Sequence, residues 1–474
     1  MSPWLTRKLA LPLHEWLLGR PTFRILNEIR PHGRCDPAEM IAAQRARLQQ
    51  VFDHARRHIP WWRNRLDAAP QIVEDPREAL AGVPVLTRTE IQNHLEEMRW
   101  PDPPVKLIKH ISGGTTDDNL EFYCGRERQT WNRAVRYRAL ERLGVRPGDP
   151  ELHLWPHFPA DSTTQRFKDL VREVRDWVTN DTVLDLRPFS DRQFERAIGR
   201  LSRYQRTVLF AYPSWVLRLA DYWKRRQSSP VPGLGCVYCT GEVLHDSHRN
   251  VITRILGVPV YEEYGSQETG SIANEDSDHA FRLNTEHVLV EILRAGKPAA
   301  PGELGEIVVT NLTAVLMPFI RYATGDVARQ PADPSFPVND GLLPLFPRVE
   351  GRTSDLLLST DGRLLPSRPL VDDLVTEARL EWFHLHQTSS SRVELHLLTS
   401  SSDRRPVAET ILRSHLGAAL EIEVCEGTAF TPLRSGKHRF VCSPAAAVRI
   451  AHDRYLDDEL ARAWPQPVVT SFAN

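Results

Sequence analysis

Apolar residues recur in two rhythms along this 474-residue chain. Ile41, Leu48, Phe52, Ala55 and Ile59 fall near the helical period behind Asp36-Pro37-Ala38-Glu39, and Pro60 ends the run. A cap residue, a proline at the first helical position and a glutamate placed to reach back predict a helix start there. Residues 61–105 read as connections and short helices leading to a strand over Val105–Lys109. Further on, Ser190 caps a helical pattern carrying Phe194, Ile198 and Leu201. Val208–Phe210, Gly235–Cys239 and Val258–Tyr261 read as strands, separated by helical patterns from Trp215 and over 245–256. Strands spaced by helices predict βαβ units and a parallel sheet. His287–Leu293, Gly305–Asn311 and Phe319–Tyr322 have the spacing of antiparallel strands added to it.

Five prolines (331, 334, 337, 344 and 347) break the pattern between 329 and 347. A domain boundary is expected there, dividing the chain into 1–347 and 348–474, in line with its length. The second part reads as a small α+β unit, with strands near 355–359, 362–366, 392–399 and 421–425 and helices near 369–378 and 406–416. A loop over 431–437 precedes a strand at His438–Cys442, and a helix is expected over 445–464. The fold class predicted is α/β: a large N-terminal domain of mixed and parallel sheets with flanking helices, plus the small α+β domain.

Charge narrows the function classes. A formal net charge of −1, with no long Lys/Arg block, gives no field for attracting nucleic acid, so no nucleic-acid partner is expected. No apolar run approaches the roughly 18 residues of a membrane span, so no integral membrane association is expected. The first sixty residues carry ten Lys or Arg against five acids, together with Trp4, Leu5, Leu13, Trp16, Leu17 and Leu18. Pro12, His14 and Glu15 interrupt what a signal peptide would need. This segment reads as a helix docked on its own domain; membrane-surface contact and a homodimer interface are the other uses open to it. The six cysteines are scattered, which fits reduced thiols and a cytoplasmic location.

Two stretches carry candidate chemistry. Ser112-Gly113-Gly114-Thr115-Thr116 follows a predicted strand, and its backbone N–H groups and hydroxyls can wrap phosphate. Tyr261-Glu262-Glu263-Tyr264-Gly265-Ser266-Gln267-Glu268-Thr269 reads as an acidic, aromatic turn at a strand's carboxyl end, where open α/β sheets collect ligands. A glutamate there can hold Mg²⁺, and Tyr264 can stack on a base. Cys236, Cys239, His245 and His248 imitate metal spacing, but the cysteines lie in a predicted strand and the gap to His245 is shorter than a zinc finger's. His153 and His157 are candidates for flanking an acid pocket. Metalloprotease, serine-hydrolase and P-loop motifs are missing from the sequence.

In this order and spacing the landmarks resemble the adenylate-forming ligase superfamily, most closely its phenylacetate–CoA ligase and capsule-biosynthesis ligase-like branch. They are Gln44–Arg63, Pro84–Arg88, Tyr212-Pro213-Ser214, Thr240-Gly241-Glu242, Tyr264–Glu268, Ile320–Asp326, Gly351-Arg352 and Gly436-Lys437. The resemblance covers nearly the whole chain. It implies that Ser112, Gly114, Thr115 and Thr116 form the phosphate loop, and that Gly241 and Glu242 line the adenine pocket. Tyr264, beside Gly265, would stack on the base, and Glu268 would hold Mg²⁺. Asp326 would take both ribose hydroxyls. Arg352 would sit near the ribose and α-phosphate, and Lys437 would bridge the acid and the α-phosphate. The implied activity joins a small-molecule carboxylic acid to ATP, releasing pyrophosphate, and passes the acyl group to coenzyme A after the small, mobile domain rotates.

The sequence departs from that pattern at Asp117 and Asp118, where the family loop continues Gly-Lys, at Gly113 and Gln267, and at the hinge position Ser354. Two carboxylates near a triphosphate oppose ATP binding. The alternatives therefore include another acceptor (an amine, a hydroxyl or a carrier-protein thiol), an unusual small oxyanion substrate, and a degenerate nucleotide binder without turnover.

Overall fold

The computed structural model describes residues 1–30, 36–66, 75–112, 120–156, 165–226, 230–332, 344–428, 430, 433 and 436–446. At its centre a seven-stranded sheet runs in the order Asp181–Leu184, Glu151–Leu154, Thr207–Ala211, Leu234–Thr240, Val260–Ser266, Gly270–Glu275, Phe281–Leu283. The first five strands are parallel, Gly270–Glu275 runs antiparallel to them, and Phe281–Leu283 is antiparallel in turn to Gly270–Glu275. Thr207–Ala211 is buried along its whole length, as a strand covered on both faces must be. Helices Asp191–Leu201, Pro213–Arg226 and Asp246–Leu256 pack onto it through Phe194, Trp215, Leu219, Ile252 and Leu256. The expected parallel sheet is present.

A five-stranded antiparallel sheet follows, in the order Lys297–Pro298, Val288–Arg294, Leu304–Asn311, Tyr322–Arg329, Val349–Arg352. Its last strand brings residues 349–352 beside Asp326. The expected strand over Phe319–Tyr322 begins only at Tyr322, because Arg321 takes a left-handed φ of 54° and turns the chain. The Arg321 side chain is buried, donating to Glu291 at 3.0 and 3.2 Å and to the Val83 carbonyl at 2.6 Å. Likewise the strand expected over 105–109 is found at Ile108–Ile111.

Residues 357–441 contribute a separate apolar core around Leu370, Phe383, Leu385, Leu395 and Leu412. Its sheet runs Glu421–Gly427, Arg392–Leu398, Phe383–Ser389, Val441–Cys442, with helices Ser367–Thr376 and Arg405–Leu416. The helix expected over 445–464 lies outside the described residues except at its first two positions.

The N-terminal segment is helical from Pro3 to Leu17, with a π-turn over Thr6–Ala10. It docks on its own chain: Thr6, Leu11 and Glu15 are buried, and Asn180 donates to the Thr6 hydroxyl at 3.0 Å. Glu15 opens an ionic chain through Arg133 (2.6 Å), Asp181 (3.4 Å), His153 (3.1 Å), Glu151 (3.0 Å) and Arg136 (3.2 Å). These six groups join the N-terminal helix, helix Arg126–Arg142 and two sheet strands.

Burial opposes the charge on His153, but Asp181 and Glu151 outweigh it and raise the imidazole to about 9. A folded-state value above the ordinary 6.5 contributes stability that is complete below about pH 6.5 and lost as pH rises through about 9. His153→Gln should therefore lower unfolding free energy by roughly 3 kcal/mol near pH 6 and by much less near pH 10. Denaturant titrations at the two pH values check this; an equal loss at both contradicts it.

Candidate active site

A cavity of ≈1300 Å³ opens at the carboxyl ends of the parallel strands, where Trp155, Tyr212 and Gly241 follow their strands. Lys437 reaches it from the loop before Val441–Cys442, and that loop is held on both sides. Trp215 Nε1 donates to the Gly436 carbonyl at 2.7 Å, and the His438 N–H donates to Glu242 at 2.9 Å. Glu242 accepts two more bonds, each 2.9 Å, from the Ser214 N–H and hydroxyl. The Lys437 ammonium lies 5.1 Å from the Tyr212 ring centre, a cation–π distance. Gly241 has φ +77°, and a Cβ there would stand 2.7 Å from the Tyr212 ring and 3.6 Å from Lys437 Nζ, so only glycine fits.

Burial lowers the Lys437 ammonium to about 8; Arg352 adds to that, and Glu242, Asp326 and Glu268 oppose it. Burial also raises the Glu242 and Asp326 carboxyls. Asp326 and Arg352 are paired across neighbouring strands, with Nε donating to Oδ1 at 3.2 Å. The Tyr264 hydroxyl donates to the other Asp326 oxygen at 3.0 Å. The Tyr264 ring stacks on Phe346, with centroids 5.4 Å apart and planes 12° from parallel, and also lines the cavity. One ring face is thus covered by protein.

The acidic stretch differs from expectation in its form. Val260–Ser266 is strand, and only Gln267–Thr269 turns before Gly270–Glu275 returns alongside. Gly265 permits that return, since a Cβ would lie 2.6 Å from the Gly270 carbonyl oxygen. Glu268, in the turn, is buried and lines the same cavity. So does Ser112, whose hydroxyl accepts from the Leu120 N–H at 2.9 Å and ties the two ends of the glycine-rich loop. Gly114, Thr115 and Thr116, with Gly113, Asp117 and Asp118, lie outside the described residues, as does His157.

The structure thus brings Ser112, Gly241, Glu242, Tyr264, Gly265, Glu268, Asp326, Arg352 and Lys437 around one cavity. Sequence reasoning missed Arg128 and Arg136 on helix Arg126–Arg142, and Arg439, which donates to Ser354 at 2.6 Å and to Asp355 at 2.7 Å. The i, i+4 pair Asn132 and Arg136, both lining the cavity, was the available signal. The cysteine–histidine set forms no cluster among the described residues. Cys236 and Cys239 pack into different cores, and burial raises Cys236 to about 11.

No family model matches the chain. It is 25% identical over 355 residues to the phenylacetate–coenzyme A ligase of Escherichia coli (strain K12), covering 70% of this chain and 75% of that one. It is 23% identical to the phenylacetate–coenzyme A ligase of Aromatoleum evansii, covering 87% of this chain and 96% of that one. Among solved structures, 2-hydroxyisobutyryl-CoA ligase in the postadenylation state superposes with a TM-score of 0.67 at 18% identity, over 87% of this chain and 91% of that one. The shared fold and the similarity to phenylacetate–coenzyme A ligases over most of the sequence agree with the resemblance that the motifs carry, to the adenylate-forming ligase superfamily and its phenylacetate–CoA ligase-like branch.

Proposed function

We propose that the chain is an ATP-dependent acid–thiol ligase working through an acyl-adenylate, and that the units it uses are residues 1–347 and 348–474. The observation that carries the reading is the seating of Lys437, from the second unit, in a cavity of the first, held by Trp215 and Glu242. In the first step a carboxylate oxygen attacks the α-phosphorus of ATP; that O–P bond forms as the bond to the pyrophosphate leaving group breaks. A fixed ammonium between two meeting anions lowers that barrier, which is the role assigned to Lys437.

Asp326 has one oxygen toward Tyr264 and one toward Arg352. Each oxygen keeps a lone pair for a ribose hydroxyl, and Arg352 stands beside the ribose and α-phosphate. Gly241 and the free face of Tyr264 bound the adenine, with Glu242 fixing the floor through Ser214. Ser112 anchors the loop assigned to the phosphates, with Gly114, Thr115 and Thr116 as its donors. A lone buried carboxylate suits Mg²⁺, which takes one or two carboxylates and completes its shell with water and phosphate oxygens. Glu268 would hold the ion, which neutralises polyphosphate charge when bound. In the second step the coenzyme A thiol loses its proton, its sulfur bonds the acyl carbon and AMP leaves. Rotation of the second unit about Ser354–Asp355 clears Lys437 for that step.

A screen of carboxylic acids should find pyrophosphate release that depends on the acid, and thioester only when coenzyme A is added. Release with no acid dependence contradicts the reading. Lys437→Ala should abolish adenylate formation while the variant still turns preformed acyl-AMP into thioester; equal loss of both half-reactions overturns the role of Lys437. Since the ammonium sits at about 8, kcat/KM for adenylation should fall as pH rises through that value and stay flat in Lys437→Arg. Asp326→Ala should weaken ATP binding by roughly 1.5–3 kcal/mol, the scale of charge-assisted hydrogen bonds. Calorimetry showing unchanged affinity counts against the ribose contact.

A further inference from the structure

We propose that Arg128 receives the β- and γ-phosphates of ATP, supplying from a helix the positive charge that the glycine-rich loop lacks. The proposal rests on the ligase reading and adds a binding residue to it. Three observations carry it.

The first is where Arg128 stands. It lines the cavity with Ser112 and Glu268, and shares a small neighbouring recess with Glu268, Cys124 and Glu127. Its guanidinium lies over the Phe122 ring, 5.4 Å from the centroid, and that ring stacks on His110 with centroids 5.6 Å apart. Phe122 and His110 are partners across the strands Ile108–Ile111 and Glu121–Cys124, and the connection between those strands begins at Ser112. The cation is thus held above the root of the loop assigned to the phosphates, close to the carboxylate assigned to Mg²⁺.

The second is an imbalance within one helix. On Arg126–Arg142, four other arginines each meet a carboxylate: Arg133 meets Glu15 at 2.6 Å, Arg136 meets Glu151 at 3.2 Å, Arg142 meets Asp276 at 3.4 Å, and Arg138 meets Glu286. Among the described residues Arg128 has no such ion pair; it bonds the Cys124 sulfur, and Glu268 and Glu127 act on it at longer range. Glu127 is engaged elsewhere, accepting from the Gly125 N–H at 3.1 Å. Arg128 is half-buried, and burial lowers its pKa, so the free protein holds a cation that an arriving anion would stabilise.

The third is the charge of the loop itself. Residues 112–119 contain Asp117 and Asp118 and no Lys or Arg. In the proposed reading Lys437 and Arg352 serve the α-phosphate, at the other end of the triphosphate. Negative charge grows on the pyrophosphate as its bond to the α-phosphorus breaks, and a fixed cation beside it offsets that charge. A guanidinium suits the task, because its planar fork of N–H donors matches phosphate oxygens two at a time.

The competing use of Arg128 is packing alone, over Phe122 and against Cys124, and calorimetry separates the two. Arg128→Gln should weaken Mg²⁺–ATP binding by roughly ten- to a hundredfold, the scale of a charge-assisted hydrogen bond, and leave AMP binding within about twofold. The variant should also turn preformed acyl-AMP and coenzyme A into thioester at the wild-type rate, since no polyphosphate takes part in that step. Arg126→Gln removes an exposed charge from the same helical turn; it is the control and should bind ATP as the wild type does. Should Arg128→Gln not fold, Arg128→Met, which keeps an apolar stem over Phe122, carries the same expectation. Unchanged ATP affinity, or equal loss of ATP and AMP affinity, overturns the role of Arg128. Equal weakening in Arg126→Gln overturns it as well, because the effect would then belong to the general field. A wild-type protein that binds neither nucleotide overturns the ligase reading itself, an outcome distinct from these.

Discussion

Glu242 gathers three donors, two from Ser214 at the head of helix Pro213–Arg226 and one from His438 in the lysine loop, and it is half-buried while doing so. Partial desolvation raises this carboxyl, and the three donors offset it, so each of its partners is constrained by the others. Through this residue the carboxyl end of strand Leu234–Thr240, the helix that follows strand Thr207–Ala211 and the loop carrying Lys437 become one piece of geometry. The Trp215–Gly436 hydrogen bond and the close approach of Gly241 to Tyr212 rest on the same placement. Among the described residues, two hydrogen bonds and a cation–π contact seat the lysine.

The ammonium so placed is poised between opposing fields. Burial and Arg352 push it toward neutrality, while Glu242, Asp326 and Glu268 hold it charged. Anionic substrates entering the cavity add to the second group. In the proposed reading the cation would be most strongly favoured when acid and triphosphate are both present, the moment at which its charge would offset theirs. Asp326 is shaped by the same economy of groups, since Tyr264 and Arg352 fix its two oxygens in the plane that a ribose diol would meet.

Much of this was legible in the sequence, and what escaped has a physical cause. The alternation over 190–261 gave the parallel sheet because buried parallel strands are short apolar runs. Short motifs such as Thr240-Gly241-Glu242 could be placed through resemblance. The strand expected at Val258–Tyr261 runs on to Ser266, and that extension was hidden because Glu262 is buried, with its carboxyl raised to about 7 by desolvation, so the alternating pattern reads as acidic loop. Helix Arg126–Arg142 shows no apolar stripe, because Arg133, Arg136 and Arg138 are covered through ion pairs rather than exposed. Strand Phe383–Ser389 was missed for a similar reason: Gln387 is fully buried, bonded to both Leu358 backbone groups, and His384 and His386 interrupt the run. For the three arginines and Gln387 a polar side chain is held in the interior by a partner distant in sequence, which no local pattern records.

The central claim is that this geometry makes an acyl-adenylate, and exchange of labelled pyrophosphate into ATP tests that step without reference to any acceptor. Incorporation of label that requires a carboxylic acid and is independent of coenzyme A is the predicted result. Tight ATP binding with no acid-dependent exchange across a broad set of acids would contradict the account.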